Sequence, residues 1–282
     1  MLCCIGDLVE DVVVWPQAEL RRGTDTPARI FRRRGGSAAT VAVYAVTVGV
    51  AARFVGRVGD DALGARLIAQ LDAAGVDTNV TRGGRTGSIV VLVDGSGERT
   101  MIPDRAAAME LDELPRGALD GVTWLHVPAY SLVVEPLGAT SLLAIDTVRE
   151  AGGTVSIDAS SVGPLEAFGT NRFISLMAQI GPEVFLCNQD EAAWLGIEGD
   201  TPLSGAGITV VKAGADPVTI IDSAGGVNVV EVPPVDGVAD TTGAGDAFAA
   251  GFIAASMNSA TPPVAAEAGC RLAATVLTRP GA

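Results

Sequence analysis

From Thr123 onward, four short apolar runs recur at wide intervals: "TWLHVPA", "GTVSIDAS", "PEVFLCN" and "GITVVKAG". Stretches with helical spacing separate them, at about 136–151, 170–180 and 189–196. Buried strands alternating with helices are βαβ units, which build a mostly parallel sheet with helices on both faces. No other feature constrains the chain as much. It predicts an α/β, doubly wound architecture whose ligands bind outside the carboxyl ends of the strands. The first half follows the alternation in part. "MLCCI" reads as a buried strand, "SAATVAVYAVTVG" as a helix apolar on nearly every face, and "ARFVGRVG" as a short strand. "DDALGARLIAQLDAAGV" reads as an amphipathic helix with an acidic first turn and a glycine stop.

Two segments stand outside the alternation, near 11–34 and 88–102. The second holds two strands around an Asp-Gly-Ser-Gly turn, a hairpin signal. Together they predict a small antiparallel sheet set apart as a lid on one domain spanning 1–282. A last hairpin is expected over 217–230, and closing helices near 244–258 and 263–277.

Composition removes several function classes. The net charge of −14 argues against a nucleic-acid partner, because phosphate backbones are bound by clustered Lys and Arg. The one basic cluster, "RIFRRR" at 29–34, is short and local. Four cysteines without a CxxC pair, and a single histidine (His126), make a zinc site unexpected; the cysteines read as small core residues. No basic segment followed by an apolar one opens the chain, and no apolar run approaches ~20 residues. A cytoplasmic protein is therefore expected.

The chemistry concentrates in "DTTGAGDAFAAGF", which follows a Pro-containing turn region and opens a long apolar helix. Glycines at a helix start leave backbone N–H groups unpaired, and the helix dipole adds to this anion cradle. Asp246 beside it can accept a proton from a hydroxyl that attacks phosphorus, while the amides stabilise the growing charge. Alone, the pattern reads equally as a plain helix N-terminus with a dipole-favoured aspartate. A dinucleotide fingerprint fails, since Phe248 stands where GxGxxG needs glycine.

The run Asp240-Thr241-Thr242-Gly243-Ala244-Gly245-Asp246 resembles the C-terminal signature of the ribokinase-like (PfkB-type) carbohydrate kinases. "GGSAATVA" at 35–42, "FVGRVGDDALG" at 54–64, "NQDE" at 188–191 and the tail "AATVLTRPGA" resemble other stretches of that family, in the same order. The resemblance implies an ATP-dependent kinase acting on a hydroxymethyl group of a sugar or, alternatively, a nucleoside. A silent sugar- or nucleotide-binding relative and a Rossmann-type oxidoreductase are the readings from other classes. By resemblance, Asp246 is the catalytic base and the Gly243, Ala244 and Gly245 amides form the anion hole.

Asp11, in "GDLVED", matches the substrate-binding acid, and Gly35 and Gly36 let the backbone approach a ligand closely. Thr40 stands where the family usually has asparagine, a longer side chain that reaches substrate hydroxyls. Asn188 and Glu191 read either as a helix capping box or, in the family's context, as organisers of Mg²⁺ and phosphates through water. Lys212 and Gly214 suit phosphates, while Pro217 replaces a frequent glycine in the nucleotide loop. Asp240 and Thr242 would help position a monovalent cation such as K⁺, as in some relatives. Lid strands pair between subunits in this family, which implies a homodimer. Asp158, Arg105 and His126 read as structural.

Overall fold

The computed structural model describes residues 1–95, 99–238 and 241–278. Nine strands form its main sheet. In spatial order they are β13 (Val227–Val230), β12 (Asp216–Asp222), β11 (Ile208–Ala213), β10 (Val184–Asn188), β9 (Thr154–Asp158), β8 (Trp124–Pro128), β1 (Leu2–Ile5), β4 (Ala52–Val58) and β5 (Asp77–Arg82). All pair in parallel except β12, which lies antiparallel to both β11 and β13.

The sheet is covered on both sides, so its central strands are apolar at consecutive positions rather than alternating with polar ones. In β1, Leu2 and Cys4 join one apolar cluster and Cys3 and Ile5 the other, and all four are buried. Helices α1 (Ser37–Thr47), α2 (Ala62–Ala73), α7 (Ala244–Met257) and α8 (Pro262–Leu277) pack in the first cluster. The second holds α3 (Leu137–Glu150), α4 (Val162–Phe168), α5 (Thr170–Ile180) and α6 (Gln189–Leu195). The four cysteines are buried and unpaired, as expected of small core residues.

The core-facing positions of α1 are mostly alanine (Ala38, Ala39, Ala42, Ala45), which lets the helix sit against α7. In turn α7 meets α8 backbone to backbone: a Cβ on Gly251 would lie 2.7 Å from the Ala268 carbonyl oxygen. The start of α7, and Asp246 with it, is thereby fixed by packing on two sides. β1 has β4 on one flank and β8 on the other, so the winding direction reverses there and opens a crevice at the strand ends.

A second sheet has the order β3 (Ala28–Gly35), β2 (Val9–Pro16), β6 (Thr86–Val93), β7 (Arg99–Ala106). It comprises the two segments that fell outside the alternation, but it is mixed rather than antiparallel. The pairs β2–β3 and β6–β7 are antiparallel, whereas β2–β6 is parallel. The reason is connectivity: the chain reaches β6 only after α1, β4, α2 and β5, a crossover that delivers it in the direction of β2. Buried Glu10 of β2 accepts from Arg32 of β3 (2.6 Å) and from Arg66 of α2, which ties this sheet to the main body.

Two local expectations change. Asp61 is not in the first turn of α2 but caps it from outside, accepting from the Gly64 amide at 2.7 Å. Strand β5 is an edge strand of sequence DTNVTR, which lacks the apolar run that marks the others. Asp240, the tip of the β6–β7 turn at 96–98, and the final residues 279–282 lie outside the described residues. Among those described, no helix is long and apolar enough to cross a membrane.

Candidate active site

The carboxyl ends of β1, β9, β10 and β11, the starts of α1 and α7, and one face of the small sheet converge on a single crevice. Gly243 precedes α7 with φ 75°, a left-handed conformation that glycine adopts without strain. No side chain caps the helix. The Ala244 amide donates to the Thr241 carbonyl (3.2 Å), so of the three amides assigned to the anion hole this one is already engaged. Those of Gly245 and Asp246 have no partner among the described residues. A Cβ on Gly245 would lie 3.6 Å from the Lys212 ammonium, which brings a positive charge over the same helix start.

Asp246 occupies the first turn of α7, where Ser37 Oγ at the head of α1 donates to its Oδ1 at 2.6 Å. Burial pushes the carboxyl up to about 7, against the Ser37 hydrogen bond, which favours the charged form; Asp158 pushes it up and Lys212 pulls it down. Near neutrality the group therefore exchanges its proton, as a general base must. Ser37 went unrecognised as a site residue in the sequence. The serine after Gly35-Gly36 carries no distinguishing neighbour, and its partner lies 209 positions away.

At the strand ends, Lys212 of β11 donates from Nζ to Asp158 Oδ2 of β9 at 2.6 Å, an ion pair largely shielded from water. Burial alone would lower the lysine; the Asp158 and Glu191 carboxylates outweigh it and hold Lys212 above its ordinary value. Asp158, read as structural, thus belongs to the site. Asn188 and Glu191 form a complete capping box at the head of α6: Asn188 Oδ1 accepts from the Glu191 amide and Glu191 Oε2 from the Asn188 amide, both at 2.8 Å. Burial, then Asp158, push Glu191 up to about 7, with Lys212 opposing. Gly214 follows β11 with φ 64°. Pro217 falls where the β11–β12 register slips between Val211 and Ala213, a bulge where a missing N–H does no damage.

The opposite wall is the small sheet. Asp11, Val13, Trp15, Arg33, Arg34, Val91, Val93, Arg99 and Met101 line a cleft of about 230 Å³ with Thr242 and Gly243. Asp11 Oδ1 is buried without a hydrogen-bond partner. Burial, then the neighbouring Asp7, push its carboxyl up to about 6, with Arg34 opposing. A Cβ on Gly35 would overlap that carboxylate, and Gly36 (φ 101°) would drive one into the Asp7 carbonyl. The glycine pair therefore exists to let the head of α1 reach the two acids. Asp7 itself accepts from Tyr130 Oη (2.7 Å) and Arg105 Nε (3.3 Å), which makes Arg105 part of the floor rather than of the free surface. Thr40 lies one turn after Ser37 and accepts from Arg34 Nη1 at 3.5 Å. Arg99 donates to Thr241 Oγ1 at 3.1 Å, joining the small sheet to the loop before α7. His126 is buried against Ser156 Oγ (2.9 Å). A wider groove between α7, α8 and Val48 is lined mainly by apolar residues and holds no carboxylate.

A proton acceptor, an uncapped helix start, a lysine and an acid-lined pocket share one crevice of a doubly wound sheet. Together they define a phosphotransferase of the α/β class. The profile of the "pfkB family carbohydrate kinase" matches residues 1–282, and the chain belongs to this family, whose members phosphorylate a sugar hydroxyl. A fructokinase of Klebsiella pneumoniae is 30% identical over 268 residues, covering 89% of this chain and 82% of that protein. Among solved structures, a fructokinase with bound ATP from Xylella fastidiosa superposes with a TM-score of 0.84 at 21% identity, covering 100% of this chain and 93% of that one. An adenosine kinase from Sinorhizobium meliloti does so with 0.85 at 18% identity, over 100% and 96%. These two neighbours establish the ribokinase-like fold.

Proposed function

We propose that the protein transfers the γ-phosphate of ATP to a hydroxymethyl group of a sugar, with Asp246 as the base. The hydroxymethyl oxygen gives its proton to Asp246 and attacks the γ-phosphorus in line. The bond from that phosphorus to the bridging oxygen breaks, and ADP leaves with the electron pair. The Gly243 and Gly245 amides and Lys212 stabilise the charge on the transferred group, with the Ala244 amide able to join if it leaves Thr241. Asp11, with its open oxygen, accepts from the sugar hydroxyls, and Gly35, Gly36 and Thr40 shape that end. Asn188 and Gly214 flank the nucleotide. The observation that carries this reading is the Ser37–Asp246 hydrogen bond of 2.6 Å, which holds a carboxylate that titrates near neutrality beside an uncapped helix start.

Mg²⁺ fits the residues in one way only. No cluster of three or more His, Cys, Asp or Glu side chains able to hold a metal exists among the described residues. Mg²⁺ would therefore rest on ATP phosphates and water, with Glu191 and Asn188 in contact with those waters, and would supply neutralisation of phosphate charge. Thr242 and Asp240 remain candidates for a monovalent cation such as K⁺. The small sheet acts as a lid. Its exposed Ile30, Phe31, Met101 and Ile102 motivate pairing with a second copy in a homodimer, in the cytoplasm. The fructokinase relative makes a ketohexose the first acceptor to try. Incubation with Mg·ATP and a panel of hexoses, pentoses and adenosine is expected to release ADP with a sugar. Turnover of adenosine alone would move the acceptor to nucleosides, and no ADP with any member would refute the kinase assignment.

A further inference from the structure

One rung beneath the crevice, the main sheet carries polar side chains where apolar ones would pack. His126 of β8 pairs with Ser156 of β9, and both are fully buried. Asp158 stands two residues further along β9, so its side chain leaves the same face one rung nearer the crevice. Trp124 Nε1 donates to Ser156 Oγ at 2.9 Å, and His126 Nδ1 lies 2.9 Å from the same oxygen. His126 Nε2 is buried with no hydrogen-bond partner among the described residues.

Counting hydrogens fixes the tautomer of the ring. An indole nitrogen only donates, so Trp124 takes up a lone pair of Ser156. The Ser156 hydroxyl hydrogen is then used only if His126 Nδ1 accepts it, which places the ring hydrogen on Nε2. Burial pulls the imidazole down to about 4, so the ring is neutral near pH 7. The result is a buried N–H donor aimed at nothing in its own layer, and native chains rarely keep such a group without an acceptor.

The surroundings name that acceptor. Among charged groups Asp158 acts on the ring most, then Lys212. Asp158 Oδ1 accepts from the Ser160 amide at 3.0 Å and Oδ2 from Lys212 Nζ at 2.6 Å. A carboxylate has about four acceptor positions, so a further bond fits. Ser160 takes a left-handed conformation (φ 60°), unusual for serine, with its amide on this carboxylate. Diagonal neighbours on one sheet face stand roughly 7 Å apart, a gap that one water spans between a ring nitrogen and a carboxylate.

We propose that His126 is a positioning residue: its Nε2–H, bridged by one enclosed water, orients the Asp158 carboxylate and through it the Lys212 ammonium over the start of α7. The assignment of Lys212 to phosphate rests on the kinase reading above; the chain from Trp124 through Ser156 and His126 to Asp158 does not.

His126 is the only histidine, so its ring nitrogen-15 spectrum needs no assignment. At pH 7 the wild type should carry hydrogen on Nε2 and none on Nδ1, and Asp158→Asn should move the Nε2–H signal upfield with Nδ1 little changed. Hydrogen on Nδ1, or an Nε2–H signal indifferent to Asp158→Asn, overturns the inference. The second measurement is the Kd of Mg·ATP by calorimetry. His126→Asn keeps an acceptor toward Ser156 and loses the outer donor, whereas His126→Gln keeps a donor near the place of Nε2. His126→Asn should weaken ATP binding roughly 2- to 30-fold, the range for residues that act through another, and His126→Gln should recover most of it. The KM for the sugar should stay within about twofold in both. An unchanged Kd in folded His126→Asn, equal losses in the two variants, or a loss shared by ATP and sugar would make His126 a packing residue and overturn the inference. A wild type that binds no Mg·ATP would refute the kinase reading separately. In that case, or if the variants unfold, the spectra alone decide the link from His126 to Asp158.

Discussion

Ser37→Ala separates a positioned base from a mere helix-start aspartate. Ser37 Oγ donates to Asp246 Oδ1 at 2.6 Å, and this bond favours the ionised carboxylate. A hydrogen bond to a charged group contributes about 1.5–3 kcal/mol, and one pKa unit corresponds to about 1.4 kcal/mol, so its loss should raise Asp246 by roughly 1–2 units. Starting from about 7, the carboxyl of the variant would titrate near 8–9. At pH 7 the ionised fraction then falls from about half to about 1–9%, and kcat/KM falls roughly 5- to 50-fold. By about pH 10 the two enzymes should converge. The assay is kcat/KM for the best sugar between pH 5.5 and 10, with circular dichroism to check the fold. An acid limb that stays in place, or a loss equal at every pH, would show that Ser37 does not tune a catalytic carboxylate.

Two further outcomes follow from packing and charge. Lys212→Met leaves the Asp158 carboxylate, 7% exposed, without its partner. Breaking a buried pair from one side costs about 3–5 kcal/mol, read as a fall in the urea midpoint, and the loss of phosphate affinity should raise the KM for ATP. Gly35→Ala places a methyl group on the Asp11 carboxylate and must displace it. Stability should fall by about 1–3 kcal/mol, and the KM for the sugar should rise far more than that for ATP. Equal changes in the two KM values would argue against Asp11 as the acceptor ligand.

The α/β alternation, the helix opened by Gly243-Ala244-Gly245-Asp246 and the Asn188–Glu191 pair were legible because each is written in neighbouring residues. The capping-box reading of Asn188 and Glu191 is realised in the structure, and it does not compete with a role beside the nucleotide, since Glu191 Oε1 stays outside the box. What escaped the sequence depends on distant partners. The β2–β6 pairing is parallel because of a crossover that no local pattern encodes. Lys212 and Asp158 are 54 positions apart, and Ser37 and Asp246 are 209. In the sequence, Arg34 is one member of the short basic cluster at 29–34. In the structure it donates to Thr40 of α1, whereas Arg32 pairs with Glu10. The polar strand β5 was missed because its neighbours, not its residues, make it a strand.

The central claim is that Asp246 takes the proton from the sugar. Asp246→Asn keeps the size and the Ser37 contact but removes the base. With saturating Mg·ATP and the best sugar of the panel, kcat should fall about 10²- to 10⁴-fold while the protein stays folded and still binds ATP. A variant that forms sugar phosphate at the wild-type rate would contradict the account.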